Sequence, residues 1–404
     1  GFVGGAMIPL VFATGFSFFS GPKRAMVTAI LGVISTLAPT LGPTIGGWIT
    51  EEIHWRWLFF VNVAPGLAVT FALVALGPVD RARPGLLARI DWLHAAALAI
   101  GLGGVQYVLE EGPRHQWFDD PGIAGVAWVA AVACVVFLER CWRSPSPIVR
   151  LGPFRRPGFA GAGVLGFVTG FGIYTVVYMT PLFLAWVRGW SSLDIGATLW
   201  VAGAAMTLSA PLAAGLATRV DQRIVMAIGL ALYAASFWMI SDVTRDWGFW
   251  QLVATQVVRG AAILFCMVPS VGMALNNVPD AELRDASGLN NLMRNLGGAF
   301  GIAVVNTWLA DFFQLHRLRL SEALGAAPGA ADEAARNLGL QLGQALGDLS
   351  AAPAAAAATL GRLVDQEALT EAFRDAFRLC AYVFIAAFTI LPFCRGGPMM
   401  DEPH

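Results

Sequence analysis

The sequence predicts an all-α polytopic membrane protein, and three observations lead to this fold class. Hydrophobic residues make up 57% of the 404 residues and charged residues only 13%, whereas soluble domains average about 45–50% apolar and about 25% charged residues. The mean hydropathy of the chain is +0.64. Eleven apolar segments follow one another along the chain, most of them near the length of about 20 residues that a helix needs to cross a bilayer.

The predicted transmembrane helices are joined by short connections, except for one long segment at 311–371. The chain opens inside an apolar run at Gly1 without a signal-peptide pattern, so we expect the first helix to be truncated and earlier helices to lie upstream. In order, the predicted spans cover 1–19, 25–49, 57–77, 91–110, 122–141, 159–186, 193–217, 223–241, 249–275, 286–310 and 373–394.

Successive loops differ in their content of lysine and arginine. One alternating set of loops holds fourteen of these residues, and the intervening short loops hold four. Because cytoplasmic loops are enriched in Lys and Arg, the sequence predicts that the first set, and with it the C-terminus, faces the cytoplasm. The segment 311–371 then lies outside, where Leu338, Leu342 and Leu346 favour an amphipathic helix; a solvated loop is an equal alternative.

Several helix breakers lie inside the second span, in the stretch APTLGPTIGGWIT. In a soluble helix each interior proline costs about 3 kcal/mol and each glycine about 1 kcal/mol relative to alanine. At a four-residue spacing, however, they form two stripes of small residues that let membrane helices approach closely. The pattern predicts a bent gate helix at the bundle interface, with ordinary membrane packing as the alternative. The stripes are Ala38, Gly42 and Gly46, and beside them Pro39, Pro43 and Gly47.

Polar residues inside apolar segments are candidates for a substrate cavity. Arg259 lies near the middle of its span, where an arginine costs at least about 2.5–3.5 kcal/mol, so we expect it to face a cavity or a polar partner. Asn291 and Asn295 share a helix face, with Arg294 on the adjacent stripe. This polar face indicates a central cavity or a gating network.

Two tyrosines, Tyr174 and Tyr178, share a helix face in 159–186 and are candidates to line an apolar pocket. The sequence contains no motif typical of catalysis or metal binding. It shows no nucleophile–base set, no phosphate loop and no metal-ligand spacing among its five cysteines. We therefore expect no enzymatic activity, no cofactor and no metal site. The net charge of −1 gives no indication of a nucleic-acid partner.

The ordered motifs resemble a known transporter family. The six residues GPTIGG are similar to the GPxxGG signature of major facilitator superfamily antiporters. With the surrounding motifs, the chain resembles the 14-helix drug:proton antiporters of the EmrB/QacA type from Gly1 to about Asp311, and more weakly in the last helix. These motifs are GGAMIPL, WRWLFFVNVAPG, DWLHAAALAIGLGGVQYVLEEG, PLFLAWVRGWSSLDIGA and ASGLNNLMRNLGGAFGIA.

This resemblance implies the major facilitator superfamily fold, with about eleven transmembrane helices present, from a partial fourth helix to the fourteenth. Three domains follow: 1–77 is the remainder of the N-terminal six-helix bundle, 78–157 is an inserted helix pair with cytoplasmic linkers, and 158–404 is the C-terminal six-helix bundle with the external segment 311–371. Arg259 resembles the family's arginine-glycine motif. Asn62 resembles a family asparagine, and capping of a kink and substrate contact are equally open for it.

The function implied by the resemblance is proton-coupled efflux of amphipathic drugs or toxic compounds by alternating access, with the proton gradient as energy source. The expected location is a bacterial inner membrane, with a periplasmic adaptor and an outer-membrane channel as candidate partners besides the lipid bilayer. An acidic residue in the family's first helix, expected upstream of Gly1, would carry the proton. Two alternatives stay open: a narrow-range exporter of a fatty acid, siderophore or metabolite, and a non-transporting fragment or paralogue.

Overall fold

The computed structural model describes residues 41–76, 91–144, 147–276, 282–326 and 352–394, with a few isolated positions between them, and every regular element in these ranges is helical. A helix at 41–48, here called α1, continues into a π-helix at Ile49–His54. The later helices are α2 (Trp57–Phe60), α3 (Val63–Leu76), α4 (Trp92–Glu111), α5 (Pro121–Arg143), α6 (Pro157–Trp186), α7 (Ser192–Arg219), α8 (Gln222–Ile240), α9 (Phe249–Leu275), α10 (Leu283–Ala326) and α11 (Ala352–Ala387).

Nine helical stretches of the described ranges are long and apolar enough to cross a membrane. They correspond to the predicted spans from 57–77 onward, with α2 and α3 together forming the first of them. The predicted span 1–19 and most of 25–49 lie outside the described residues. The all-α polytopic fold class is therefore confirmed.

An aromatic core holds the helices of the second half together. Tyr233 of α8 stacks on Phe384 of α11 with ring centroids 4.4 Å apart, and Phe183 of α6 meets Phe373 of α11 edge to face at 5.4 Å. All four side chains are fully buried. Because such ring pairs stabilise by about 0.5–1.5 kcal/mol beyond their burial, this cluster fixes α6 and α8 against α11.

The helices α6 and α10 touch through their backbones. A Cβ atom added at Gly297 would overlap the carbonyl of Phe167, and one added at Gly170 would overlap the carbonyl of Arg294. Small residues are the usual means by which membrane helices come this close. The close contact brings Tyr174 and Tyr178 of α6 opposite the polar face of α10.

The helices α4 and α5 form an antiparallel hairpin at the predicted inserted pair. Gly104 packs on Ala130, and each helix has an aspartate at its N-cap. Asp91 accepts hydrogen bonds from the backbone N–H of His94 at 3.0 Å and from the Ser144 hydroxyl at 2.7 Å. The cap of α5 is Asp120, which accepts two backbone N–H groups. Asp91 and Ser144 thus connect the two open ends of the hairpin.

The last two helices run well past the predicted membrane spans. The helix α10 continues from the predicted end at residue 310 to Ala326, and α11 begins at Ala352, ahead of the predicted start at 373. Arg317 pairs with Asp365 at 2.8 Å and His316 with Asp375 at 2.8 Å. The helical interpretation of 311–371 therefore applies to its two ends, and the leucine pattern at 338–346 lies outside the described residues.

Contacts between loops agree with the alternation predicted from charge. Arg156 meets Glu282 at 3.3 Å, and both lie in loops of the Arg-rich set. On the other side, Arg245 donates to Gln366 at 2.8 Å. The contacts join loops of one set only, and the cytoplasmic location of the Arg-rich set stays a prediction.

Candidate gate motif and cavity residues

The C-terminal end of α1 docks against the first turn of α7. The hydroxyl of Thr44 donates to the carbonyl of Gly196 at 3.0 Å. Seven residues further along, in the π-helix, the Glu51 carboxylate accepts the backbone N–H of Leu193 at 2.9 Å. The first N–H groups of a helix have no partner within the helix and attract negative charge, so Glu51 stabilises the start of α7.

Two glycines make this docking possible. A Cβ atom at Gly47 would overlap the carbonyl oxygen of Ser192, and a Cβ atom at Gly196 would overlap that of Pro43. Each glycine faces the backbone of the other helix, so the contact is reciprocal. Any larger residue at either position would force α1 and α7 apart.

The two predicted stripes of small residues have different surroundings. Pro43 and Gly47 form the stripe that contacts α7. Among the described residues, nothing lies within 4 Å of a Cβ built at Gly42, and Gly46 approaches only Leu58, at 3.7 Å. Ala38 and Pro39 lie outside the described residues. Within the part of the chain that the structure describes, the tight contact of this helix belongs to the stripe of Pro43 and Gly47, and its gating role stays a prediction.

A groove of about 550 Å³ runs beside this contact, and we call it the motif groove. The α1 side contributes Pro43, Gly46 and Gly47, and the facing wall comes from the outer part of α6 and the start of α7. Among the α6 residues are Tyr178 and Leu182. One of the two candidate tyrosines therefore reaches the surface next to the predicted gate.

Asn62 lies at the break between α2 and α3. Its side-chain amide donates to the carbonyl of Leu58 at 3.2 Å, and its own carbonyl accepts the N–H of Gly66. These bonds are those of a residue that satisfies backbone groups at a helix break. A substrate contact at Asn62 stays a prediction.

Arg259 is buried, with only 3% of its surface exposed. Its guanidinium donates to the hydroxyl of Thr180 on α6 at 2.8 Å. The next residue, Gly260, faces the backbone of α7 at Ala202. The expectation that this arginine meets a polar partner is consistent with the bond to Thr180, which lies directly before Pro181 in the last two turns of α6.

The remaining candidates lie along the contact between α6 and α10. Tyr174 donates to Asn295 at 3.3 Å. Arg294 donates to Asn291 at 2.5 Å, within the same helix. Tyr178 donates to Asn306 at 2.5 Å. Of the predicted residues, Tyr174 and Asn295 thus meet across the two helices, whereas Tyr178 meets Asn306, which the sequence analysis did not single out.

The described residues contain no group of three or more His, Cys, Asp or Glu side chains that could hold a metal ion.

Comparison with known proteins gives the family. Residues 1–317 match the family model of the Major Facilitator Superfamily. The chain belongs to this superfamily. The family expected from GPTIGG and its neighbouring motifs is confirmed.

Individual members of the superfamily are similar to this chain. It is 34% identical over 328 residues to the colistin resistance protein EmrB of Acinetobacter baumannii and 28% identical over 327 residues to the multidrug export protein EmrB of Escherichia coli. It is 25% identical over 325 residues to the fatty acid resistance protein FarB of Neisseria gonorrhoeae. Each match covers 80% of this chain and 63% of the relative, so the chain spans less than two thirds of the length of these relatives.

A solved structure also matches. It is a bacterial homologue of the human lysosomal transporter Spinster in an inward-facing, occupied conformation. The identity is 16% and the TM-score 0.47, with 94% of this chain and 71% of that chain covered.

The sequence analysis missed three residues that take part in the hydrogen bonds between helices described above: Asn306, Thr180 and Glu51. Asn306 lies eleven residues after Asn295, which is close to three full helical turns, so extending the asparagine face would have found it. Thr180 and Glu51 carry no such signal. Their partners come from other helices, and the sequence gives no measure of which helices meet.

Proposed function

We propose that the protein exports amphipathic compounds across the bacterial inner membrane in exchange for protons. In this mechanism the cavity opens alternately to the two sides of the membrane. Relatives named for multidrug export and colistin resistance support this class of substrate. We propose that the substrate binds to the Tyr and Asn side chains between α6 and α10, which are surrounded by apolar residues.

The single observation that carries the proposal is the reciprocal contact between α1 and α7. These helices belong to different predicted domains, 1–77 and 158–404, and they meet at ends predicted to face outside. A contact made of two closely packed backbone surfaces and two side-chain hydrogen bonds can open and close as a unit, because few bonds must break when the helices separate. This is the behaviour required of an outer gate in alternating access.

The test uses the full-length protein in proteoliposomes with an internal pH dye. Addition of a transported compound should cause proton release that requires a pH gradient and is absent without the protein. A panel of cationic, neutral and acidic amphipathic compounds defines the substrate range. Absence of substrate-induced proton movement for the whole panel, in correctly inserted protein, would refute proton-coupled export.

A narrower function has one observation in its favour, the similarity to a fatty acid resistance protein. The same panel separates the two. Proton release with long-chain fatty acids alone would establish the narrow-range exporter, whereas release with chemically unrelated amphipathic compounds would establish multidrug export.

Orientation and partners are proposed from charge and resemblance. The C-terminus is placed in the cytoplasm, because the Arg-rich loops share its side. A C-terminal fusion to green fluorescent protein should therefore fluoresce, and a fusion to periplasmic alkaline phosphatase should be inactive. A periplasmic adaptor and an outer-membrane channel are proposed to continue the export path, and co-purification after cross-linking in cells tests for them.

A further inference from the structure

A second cavity, of about 620 Å³, lies next to the motif groove and shares Tyr178 and Leu182 of α6 with it. It lies between α6, α10, the middle of α11 and the tip of the α4–α5 hairpin, and we call it the lateral pocket. Its apolar walls include Leu182, Trp186, Leu309 and Phe313. Its volume falls within the range of about 300–1,000 Å³ that is usual for sites of drug-sized ligands.

A polar pair lies in this apolar wall. Tyr178 and Asn306 both line the lateral pocket, and their side chains share the 2.5 Å hydrogen bond described above. The Tyr178 hydroxyl uses its proton in this bond, so its oxygen can still accept. The side-chain NH₂ of Asn306 makes no hydrogen bond within the described residues and can donate. The pair therefore presents one acceptor and one donor side by side.

Charges at the rim are already paired. Asp365 is bound by Arg317 at 2.8 Å, and Arg114 lies 3.4 Å from Glu111. Gln366, also at the rim, accepts a hydrogen bond from Arg245. Among the residues that the structure describes, each charged residue of the lining has an opposite partner, so the pocket presents no unpaired charge there to an ionic head group. The chemistry favours an uncharged, hydrogen-bonding head on an apolar body.

We propose that the lateral pocket binds an amphipathic molecule whose apolar body packs on Trp186 and Phe313 and whose hydroxyl or amide head bonds to Tyr178 and Asn306. The identification of this molecule as a transported compound rests on the proposed function. Tyr178 and Leu182 line the motif groove as well, so the lateral pocket adjoins the groove beside the predicted gate.

Photolabelling of the full-length protein in lipid nanodiscs tests the site. The probe is a diazirine-bearing long-chain alcohol, and mass spectrometry locates the labelled residues. We expect saturable labelling at Trp186 and Phe313 that an unlabelled long-chain alcohol displaces. Asn306→Leu keeps a similar volume but removes both polar atoms, and it should weaken binding about fivefold to tenfold, the loss expected for one hydrogen bond.

The matched control is Tyr382→Phe, which removes a hydroxyl from an exposed tyrosine of α11 that packs on Trp238, away from the pocket. Its labelling should equal that of the wild type. A second variant, Ala310→Trp, places a large side chain in the pocket. Because Ala310 is an exposed residue of the pocket lining, the substitution leaves the buried core unchanged. It should abolish labelling while leaving the helical circular dichroism unchanged.

The two sources of such a molecule give different results. Labelling from bulk lipid would rise with the lipid content, would not be displaced by the unlabelled alcohol and would be unchanged in Asn306→Leu. That result would overturn the proposed site. Intact efflux without saturable labelling would overturn it as well. Saturable labelling without efflux of any compound would leave the site standing and would refute only the proposed function.

Discussion

Of the three glycines of α1, Gly47 has the closest neighbours among the described residues, because a Cβ atom there would overlap the carbonyl of Ser192. We expect Gly47→Ala to push the outer ends of α1 and α7 apart and to lower transport by an order of magnitude or more, although alanine is the better helix former by about 1 kcal/mol. Transport into inverted vesicles, normalised to the amount of inserted protein, measures this effect.

Two other glycines provide matched controls for Gly47. Gly42→Ala, in the same motif, and Gly215→Ala, in an open position of α7, meet no described atom within 4 Å of the new Cβ. Both should keep transport near the wild-type rate. Equal loss in Gly42→Ala and Gly47→Ala would show that close packing on α7 does not explain the motif.

The bond between Arg259 and Thr180 gives a second residue-scale prediction. Thr180→Val preserves the shape of the side chain but leaves a buried guanidinium without its partner. We expect a loss of stability of about 1–3 kcal/mol, the usual cost of a buried polar group left unsatisfied. Thermal unfolding in detergent gives the size of the effect.

The cause of that loss can be isolated by a double-mutant cycle. Arg259→Met removes the buried charge, and the double variant with Thr180→Val removes both partners, which is often near neutral for a buried polar pair. Thr180→Val should therefore cost less in the Arg259→Met background than alone. Equal costs in the two backgrounds would mean that the threonine acts through packing only.

The sequence predicted the candidate residues better than their partners. The burial cost of an arginine in a membrane span predicted a polar partner for Arg259, but no pattern in α6 distinguished Thr180 from its other threonines. The Asn face of α10 was visible because its spacing is helical. The pairing of Tyr178 with Asn306, by contrast, depends on how α6 and α10 align, which the small residues permit but do not determine.

At the scale of helices, the spans were predictable and their ends were not. Hydropathy falls at residue 310, where α10 leaves the predicted membrane region, yet the helix continues to Ala326. Pairs such as Arg317–Asp365 and His316–Asp375 join it to α11 there. Mean hydropathy along the sequence cannot detect helical segments that are held together by contacts between charged side chains.

The N-cap of α4 leads to a pH prediction. Hydrogen bonds from the Ser144 hydroxyl and the His94 backbone N–H favour the ionised form and hold the pKa of Asp91 below its ordinary value. A lowered pKa contributes stability above the ordinary pKa of aspartate, about 3.9, and that contribution is lost as the pH falls through the lower value in the folded protein. Acidification should therefore reduce the thermal unfolding temperature less in Asp91→Asn than in the wild type.

The partner residue supplies the control for this prediction. Ser144→Ala removes the largest cause of the lowered pKa, so it should weaken the acid dependence in the wild type and have no such effect in Asp91→Asn. Unfolding temperatures between about pH 7 and pH 3 decide the point, the lower limit lying below the ordinary pKa of aspartate. An acid dependence that is the same in all the variants would exclude Asp91 as its source.

At the scale of the whole molecule, the contact between α1 and α7 predicts what a covalent link should do. Glu51 and Leu193 meet at 2.9 Å through a carboxylate and a backbone N–H, so a short bifunctional methanethiosulfonate reagent should link Glu51→Cys to Leu193→Cys once the native cysteines are replaced. The proposed alternating-access mechanism requires these two ends to separate in every cycle. Cross-linked protein should therefore lose transport, and reduction should restore it, whereas each single variant should respond to neither treatment. Undiminished transport by fully cross-linked protein would show that the contact between α1 and α7 stays closed throughout the cycle and is structural packing.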